Sequence, residues 1–129
     1  MELPDTTHRV ADHTSEKINN KIAEATQRSI IFYRNHPREI PARLKALDRE
    51  WDIERALETN ASTLIVITCL LGFAVSSVFF VIPLFVGIFL LQHALQGWCP
   101  PLPVLRRLGF RTSSEIEFER KSLEEIPAP

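Results

Sequence analysis

The sequence is short of cysteine, has no surplus of basic charge and contains one long stretch without any formal charge. Its two cysteines, Cys69 and Cys99, cannot by themselves build a disulfide framework or a four-ligand metal site. The 15 basic and 16 acidic residues give a net charge of −1, so the positive excess that binds a phosphate backbone is missing. We therefore expect no metal, no cofactor and no nucleic-acid partner.

Two further absences concern targeting and catalysis. Residues 1–5 read Met-Glu-Leu-Pro-Asp and lack the basic and apolar regions of a cleavable signal peptide, so membrane insertion is expected to depend on an internal segment. The chain also lacks a glycine-rich phosphate loop after a strand, and its residues do not supply a set of nucleophile, base and orienting acid. We therefore expect that the protein is not an enzyme.

Residues 61–91 carry no formal charge, whereas both flanking regions are strongly charged. A continuous helix over about 31 residues would be roughly 46 Å long at about 1.5 Å per residue, but the hydrocarbon core of a bilayer is about 30 Å thick. Two helices fit this thickness better, the first over residues 56–76 and the second over residues 78–96. The sequence therefore predicts a transmembrane helical hairpin with its turn near Ser76 and Ser77.

Basic residues stand on both sides of the uncharged run, and the turn between the two helices has none. Because short basic segments stay on the cytoplasmic side, we expect an even number of crossings, with both termini in the cytoplasm. The basic residues before the run are Arg34, Arg38, Arg43, Lys45, Arg49 and Arg55, and those after it are Arg106, Arg107 and Arg111.

The turn position predicts which residues of the two helices lie level with each other. It places Asn60 beside His93 and Gln96 at the cytoplasmic end, while small residues on one face of each helix suit close packing in lipid. The same faces also suit dimerisation. The candidate interfacial polar cluster is Asn60, His93, Gln96 and Cys99, and the candidate helix-packing residues are Ala61, Thr68, Gly72, Ser76, Gly87 and Ala94.

Two amphipathic helices are predicted before the hairpin, because apolar residues recur there at three- and four-residue steps. His36 and Pro37 separate the two helices, since proline disfavours a helical conformation in the residue before it. We expect the two apolar stripes to pack against each other, a neighbouring protomer or the membrane surface. The first stripe is Ile18, Ile22, Ala25, Ser29 and Phe32, and the second is Ile40, Leu44, Leu47 and Trp51.

These patterns divide the chain into four regions. They are a disordered N-terminus (residues 1–13), cytoplasmic amphipathic helices (14–52), the two-helix transmembrane hairpin (53–98) and a cytoplasmic tail (99–129). Asp52 is the expected N-cap of the first membrane helix, and Gly97 is the expected end of the second. A short helix is predicted to start near Ser113, and the last residues of the chain are expected to be disordered.

Cys99 and His93 each allow a structural and a chemical interpretation. Cys99 is expected to be accessible at the membrane interface. Its role there is either structural, as a helix-end residue, or chemical, as a redox or acylation site or in metal binding or thiol transfer. His93 is expected either to snorkel or hydrogen-bond to Asn60, or to take part in proton transfer or in metal or haem ligation. Cys69 is expected only to pack as a small apolar residue.

Residues 47–61, LDREWDIERALETNA, and residues 91–100, LQHALQGWCP, resemble a small bacterial inner-membrane family of unknown function. This family shares the YgaP-like transmembrane domain, a two-helix module that is elsewhere fused to rhodaneses. The resemblance covers residues 44–120, and its most specific element is the Gly-aromatic-Cys-Pro ending of the second helix. It implies a two-helix hairpin, an inner-membrane location and dimerisation, but no enzyme, because the chain has no rhodanese domain. Residues 115–120 also look similar to longer members, whereas residues 124–129 depart from the expected basic tail.

The sequence as a whole predicts an all-α membrane protein with a transmembrane helical hairpin and N-terminal cytoplasmic amphipathic helices. The leading functional interpretation is a non-enzymatic structural or interaction protein that self-associates or serves as an accessory subunit of a larger membrane complex. The alternative is a thiol- or small-ligand-handling membrane module that uses Cys99, with His93 as a partner. A channel would need several copies, because two helices enclose no pore.

Overall fold

The computed structural model describes residues 5–127, and this part of the chain is helical with short connections. Two helical stretches, which contain α4 and α5, are long and apolar enough to cross a membrane. The helices are α1 (Arg9–Asp12), α2 (Glu16–Asn35), α3 (Ile40–Arg49), α4 (Ile53–Ala74), α5 (Val81–Gln96), α6 (Leu102–Arg107) and α7 (Ser113–Glu124), with short 3-10 turns at Pro37–Glu39 and Ser77–Phe80.

Local capping chemistry determines where the two long helices begin and end. The Asp52 carboxylate accepts a hydrogen bond of 2.8 Å from the backbone N–H of Arg55, which satisfies one of the unpaired amides at the start of α4. Gly97 ends α5 in the left-handed conformation, with φ of 83°. Both predicted boundaries are confirmed, and the turn lies near Ser76 and Ser77 as expected.

Helices α4 and α5 pack against each other as an antiparallel hairpin. The side of α4 that faces α5 contains Thr68 and Gly72, which are buried, and Ala61, which is half-buried. Gly72 lies directly under the ring of Phe80, where a Cβ atom would come within 2.7 Å of the ring. A larger residue would require the Phe80 ring to move, so Gly72 allows the close contact between α4 and the turn that leads into α5.

The side of α5 that packs against α4 is not, as the sequence predicted, the side that carries its small residues. Gly87 and Ala94 are both exposed, and a Cβ atom built on Gly87 would meet nothing within 4 Å. The residues of α5 turned towards α4 are instead Val86, Leu90 and His93, at steps of four and three residues. Ser76 is also exposed, and its hydroxyl accepts a hydrogen bond of 3.4 Å from the backbone N–H of Val78 at the turn.

The remaining helices, α1–α3, α6 and α7, form a helical base at the open end of the hairpin. Helix α7 packs against α2 and α3, and α6 packs against α4. One apolar cluster holds the base together and a second joins it to the hairpin. The first consists of Ile40, Leu47, Ile116 and Leu123, and the second of Val10, Ile53, Leu57, Cys99 and Leu102.

The buried side of α2 differs from the predicted stripe. Ile22, Thr26 and Ile30 are buried, whereas Ala25 is exposed and Phe32 is 47% exposed. Thr26 can lie inside because its hydroxyl donates to the carbonyl oxygen of Ile22 at 3.0 Å, so burial leaves no unsatisfied donor. A search for apolar residues alone could not identify this face.

The prediction of a disordered N-terminus is wrong for residues 9–12, which form α1. Val10 is only 3% exposed because it packs against Ile53 and Leu57 at the start of α4, and burial of an apolar side chain favours the ordered state. Residues 1–4 lie outside the described part of the chain. The same holds for residues 128 and 129, on which part of the prediction of a disordered C-terminus falls.

Candidate functional site

A polar contact that buries His93 joins the two helices of the hairpin at its open end. Nε2 of His93 lies 3.0 and 2.9 Å from the two carboxylate oxygens of Glu54, and His93 is only 2% exposed. Glu54 is in the first turn of α4, which Asp52 caps, and His93 is in the last turn of α5, which Gly97 ends. The local helix ends therefore position both side chains.

The predicted pairing of His93 with Asn60 is wrong. Asn60 is exposed, and the partner of His93 is Glu54, six residues earlier in α4. Glu54, Ala61 and Thr68 recur every seven residues and so lie on the side of α4 that faces α5. Asn60 precedes Ala61 by one residue, so the Asn60 side chain points about 100° away from the side of α4 that faces α5. The heptad spacing from Glu54 was the sequence signal that identifies the true partner.

Helix α1 covers the same pair from outside. Nη2 of Arg9 donates a hydrogen bond of 3.3 Å to Oε1 of Glu54. The Glu54 carboxylate therefore contacts Arg9 of α1 as well as His93 of α5. Gly97 lies against the backbone of Arg9, where a Cβ atom would come within 2.5 Å of the carbonyl oxygen. Sequence reasoning missed the role of Arg9 because it treated residues 1–13 as disordered.

The expectation that Cys99 is accessible is also wrong. Cys99 is 5% exposed and packs in the apolar cluster that joins α1, α4 and α6. Its thiol neighbours the His93 ring, but Nδ1 of His93 is buried and has no hydrogen-bond partner among the described residues. Of the four residues of the predicted polar cluster, the structure thus brings together His93 and Cys99, while Gln96 is half-buried and Asn60 is exposed.

A second polar group lies inside the helical base, around Arg106. The side chain is 0% exposed, and its five N–H groups are all engaged. Nη1 and Nη2 donate to the two carboxylate oxygens of Glu115 at 2.6 and 3.1 Å, which is a bidentate pair. The three remaining bonds go to Thr14 Oγ1, Asn19 Oδ1 and the carbonyl oxygen of Phe110.

A third polar group connects α3 and α7 through Glu119, which is 0% exposed. Nε of Arg43 donates to its Oε2 at 2.7 Å, and Nη1 of Arg111 donates to its Oε1 at 2.8 Å. Burial alone would raise the pKa of Glu119, but the hydrogen bonds from the two guanidinium groups outweigh it and hold the pKa below its usual range. Arg111 also forms a bidentate pair with Glu50, at 2.7 and 2.8 Å.

From the sequence, Arg43, Arg106 and Arg111 were used only as basic residues that flank the uncharged run, and so these pairs were missed. One local signal pointed towards them. Thr112 and Glu115 form a capping box at the start of α7, in which the Thr112 hydroxyl accepts from the Glu115 amide and the Glu115 carboxylate accepts from the Thr112 amide. This fold of the chain places the Glu115 carboxylate beside Arg106.

The three buried polar groups described above each connect different helices. Within residues 5–127, no three His, Cys, Asp or Glu side chains are arranged to hold a metal ion. A buried carboxylate or guanidinium group leaves an uncompensated charge if its partner is lost, so these pairs favour the arrangement in which both partners stay in contact. In comparisons with known proteins, no family, no curated protein and no solved structure matches this chain.

Proposed function

We propose that this protein is a non-enzymatic integral membrane protein with a structural or interaction role. Its α4–α5 hairpin crosses the bacterial inner membrane twice, both termini lie in the cytoplasm, and the helical base rests at the cytoplasmic surface. The protein self-associates or serves as an accessory subunit of a larger membrane complex. Membership of the family with the YgaP-like domain is part of the proposal, and it rests on residues 47–61 and 91–100.

The observation that carries the proposal is the exposure of α5. Only 6% of the apolar 18-residue window within Ser77–Gln96, the stretch that contains α5, is buried inside the protein, and Phe85 and Ile88 are 53% and 50% exposed. Soluble monomers rarely expose an apolar surface of this extent, so lipid or protein must cover it. Trp51 and Trp98 lie at the open end and are partly exposed, as side chains of an interfacial aromatic belt would be.

A substitution at Gly87 tests self-association. Gly87 faces open space in the hairpin, so Gly87→Leu leaves the α4–α5 contact unchanged but blocks the close approach of a second copy through this face. We expect the wild type to be an oligomer after extraction in mild detergent, and the Gly87→Leu variant to be monomeric by light scattering.

Ala74→Leu is the matched control, because it adds a similar volume at an exposed position of α4 beside the turn. It should remain an oligomer. If the wild type is a monomer and no other protein co-purifies with it, the interaction role is refuted. A wild-type monomer that co-purifies with another protein would select the accessory-subunit form of the proposal.

Thiol handling through Cys99 is the second candidate, because the thiol neighbours His93, whose Nδ1 has no partner among the described residues. Burial of Cys99 at 5% exposure opposes it. We expect that a membrane-impermeant maleimide labels Cys99 in inverted vesicles only after denaturation, with a Cys69→Ser background to isolate the signal. Rapid labelling of the folded protein would instead favour the thiol-handling candidate.

A further inference from the structure

A groove of about 800 Å³ runs along the helical base between α2 and the turn that joins α6 to α7. We propose that this groove binds a phosphate-bearing anion. Its volume is in the range of sites that hold a small ligand, roughly 300–1,000 Å³. The groove lies apart from the Glu54–His93 contact, whose residues do not line it.

The charge of the groove differs from that of the whole protein. Six cationic side chains and two carboxylates line it, whereas the chain has a net charge of −1. Like charges gathered around a concave surface produce a positive potential that attracts an anion. The cationic residues are Lys17, Lys21, Arg43, Arg106, Arg107 and Arg111, and the carboxylates are Glu50 and Glu119.

Some of these cations are already engaged and others are available. Arg106 and Arg111 form the carboxylate pairs of the helical base. By contrast, Lys17, Lys21 and Arg107 are exposed and make no hydrogen bond or ion pair through their side chains with residues 5–127. An anion in the groove could therefore bind three cations without breaking an existing ion pair.

The floor of the groove adds fixed donors. Arg43 is held in place by Glu119 through Nε and Nη2, which leaves its Nη1 without a hydrogen bond to the described residues. A guanidinium group positioned in this way can donate to phosphate oxygens without losing much side-chain freedom on binding. The combination of one positioned arginine with exposed lysines suits a compact, multiply charged anion such as phosphate.

The border of the groove limits where the phosphate group comes from. Trp51 and Leu108 line it, and they are 45% and 71% exposed. An apolar border suits the acyl chains beside an anionic lipid headgroup, but a soluble phosphate compound could enter from the aqueous side as well. The lipid source rests on the proposed membrane insertion, whereas binding of free phosphate does not.

Free phosphate is tested with Trp51 as the reporter. A Trp98→Phe background makes Trp51 the single tryptophan of the chain. In nanodiscs of phosphatidylcholine, titration with inorganic phosphate at constant ionic strength should change the Trp51 emission in a saturable way, and chloride should not. Lys17→Gln/Lys21→Gln should weaken this binding by about tenfold or more, since a single charge-assisted hydrogen bond already contributes about that much.

Arg28→Gln/Arg34→Gln is the matched control, because it removes the same charge from exposed positions of α2 that do not line the groove. It should leave phosphate binding unchanged. The lipid source is tested by native mass spectrometry after extraction from membranes that contain phosphatidylglycerol and phosphatidylcholine. Retention of phosphatidylglycerol by the wild type and the control, but not by Lys17→Gln/Lys21→Gln, would assign the site to a headgroup.

Saturable binding of either probe that depends on the two lysines supports the site. The proposal is overturned if the wild type retains no phosphatidylglycerol and its response to phosphate equals that to chloride. It is also overturned if the two double variants weaken binding equally, because the effect would then come from the overall charge of the protein rather than from the groove. The phosphate titration separates this failure from a failure of the proposed function, since it requires neither self-association nor a protein partner.

Discussion

Replacing Arg106 with alanine is expected to lower the free energy of unfolding of the helical base by about 3–5 kcal/mol, the usual effect of breaking a buried ion pair. The side chain is fully buried and connects α6 to Thr14, Asn19 and Glu115. Its loss leaves the Glu115 carboxylate with no guanidinium partner in a partly buried place. The α7 amides of the variant should therefore exchange hydrogen faster than those of the wild type, in detergent or in nanodiscs.

Arg107→Ala provides the control for this substitution. Arg107 is the next residue and is exposed, so the same loss of one positive charge should change stability by no more than about 0.5 kcal/mol. If both variants exchange at the wild-type rate, Arg106 does not hold the base together. If both open equally fast, the effect comes from net charge rather than from the buried pair.

Gly97→Ala is expected to have the second largest effect. The residue has φ of 83°, and a Cβ atom would come within 2.5 Å of the Arg9 carbonyl oxygen. A side chain in the left-handed conformation costs about 1–3 kcal/mol by itself, and the clash adds to this by pushing α1 away. Because α1 covers Cys99 through Val10, labelling of Cys99 by maleimide should become about tenfold faster for each 1.4 kcal/mol of lost protection, an approximate relation.

Gly109→Ala separates the two causes. Gly109 has φ of 96°, but a Cβ atom there would meet nothing within 4 Å, so this variant has the backbone strain without the clash. It should be destabilised less than Gly97→Ala and should leave Cys99 protected. Equal labelling of Cys99 in both variants would show that the contact between Gly97 and Arg9 does not hold α1 in place.

The predictions that held depend on residues close together in the chain. Asp52 caps α4 through the amide of Arg55, three residues away, and Gly97 ends α5 through its own backbone conformation. The break at Pro37 and the turn near Ser76 follow from similar short-range chemistry. The length and apolar character of the two long helices are likewise properties of single segments.

The predictions that failed depend on contacts between distant segments. The prediction that His93 pairs with Asn60 counted residues from the turn and ignored which side of α4 faces α5. Glu54, on the same side of α4 as Ala61, is the residue that contacts His93. The small residues Gly87 and Ala94 point away from α4, because composition does not reveal which side of a helix its neighbour occupies. Val10 is ordered because it packs against the apolar side chains of Ile53 and Leu57, more than 40 residues later in the chain.

The uncharged run, together with the cap residues that flank it, was sufficient to predict two apolar helices, because helix caps, turns and the length of an apolar segment are local properties. Tertiary structure alone decided that Arg106, Arg111 and Glu119 lie inside the base rather than in solvent. A charged side chain is buried only when a partner reaches it, and those partners come from segments up to 92 residues away in the chain.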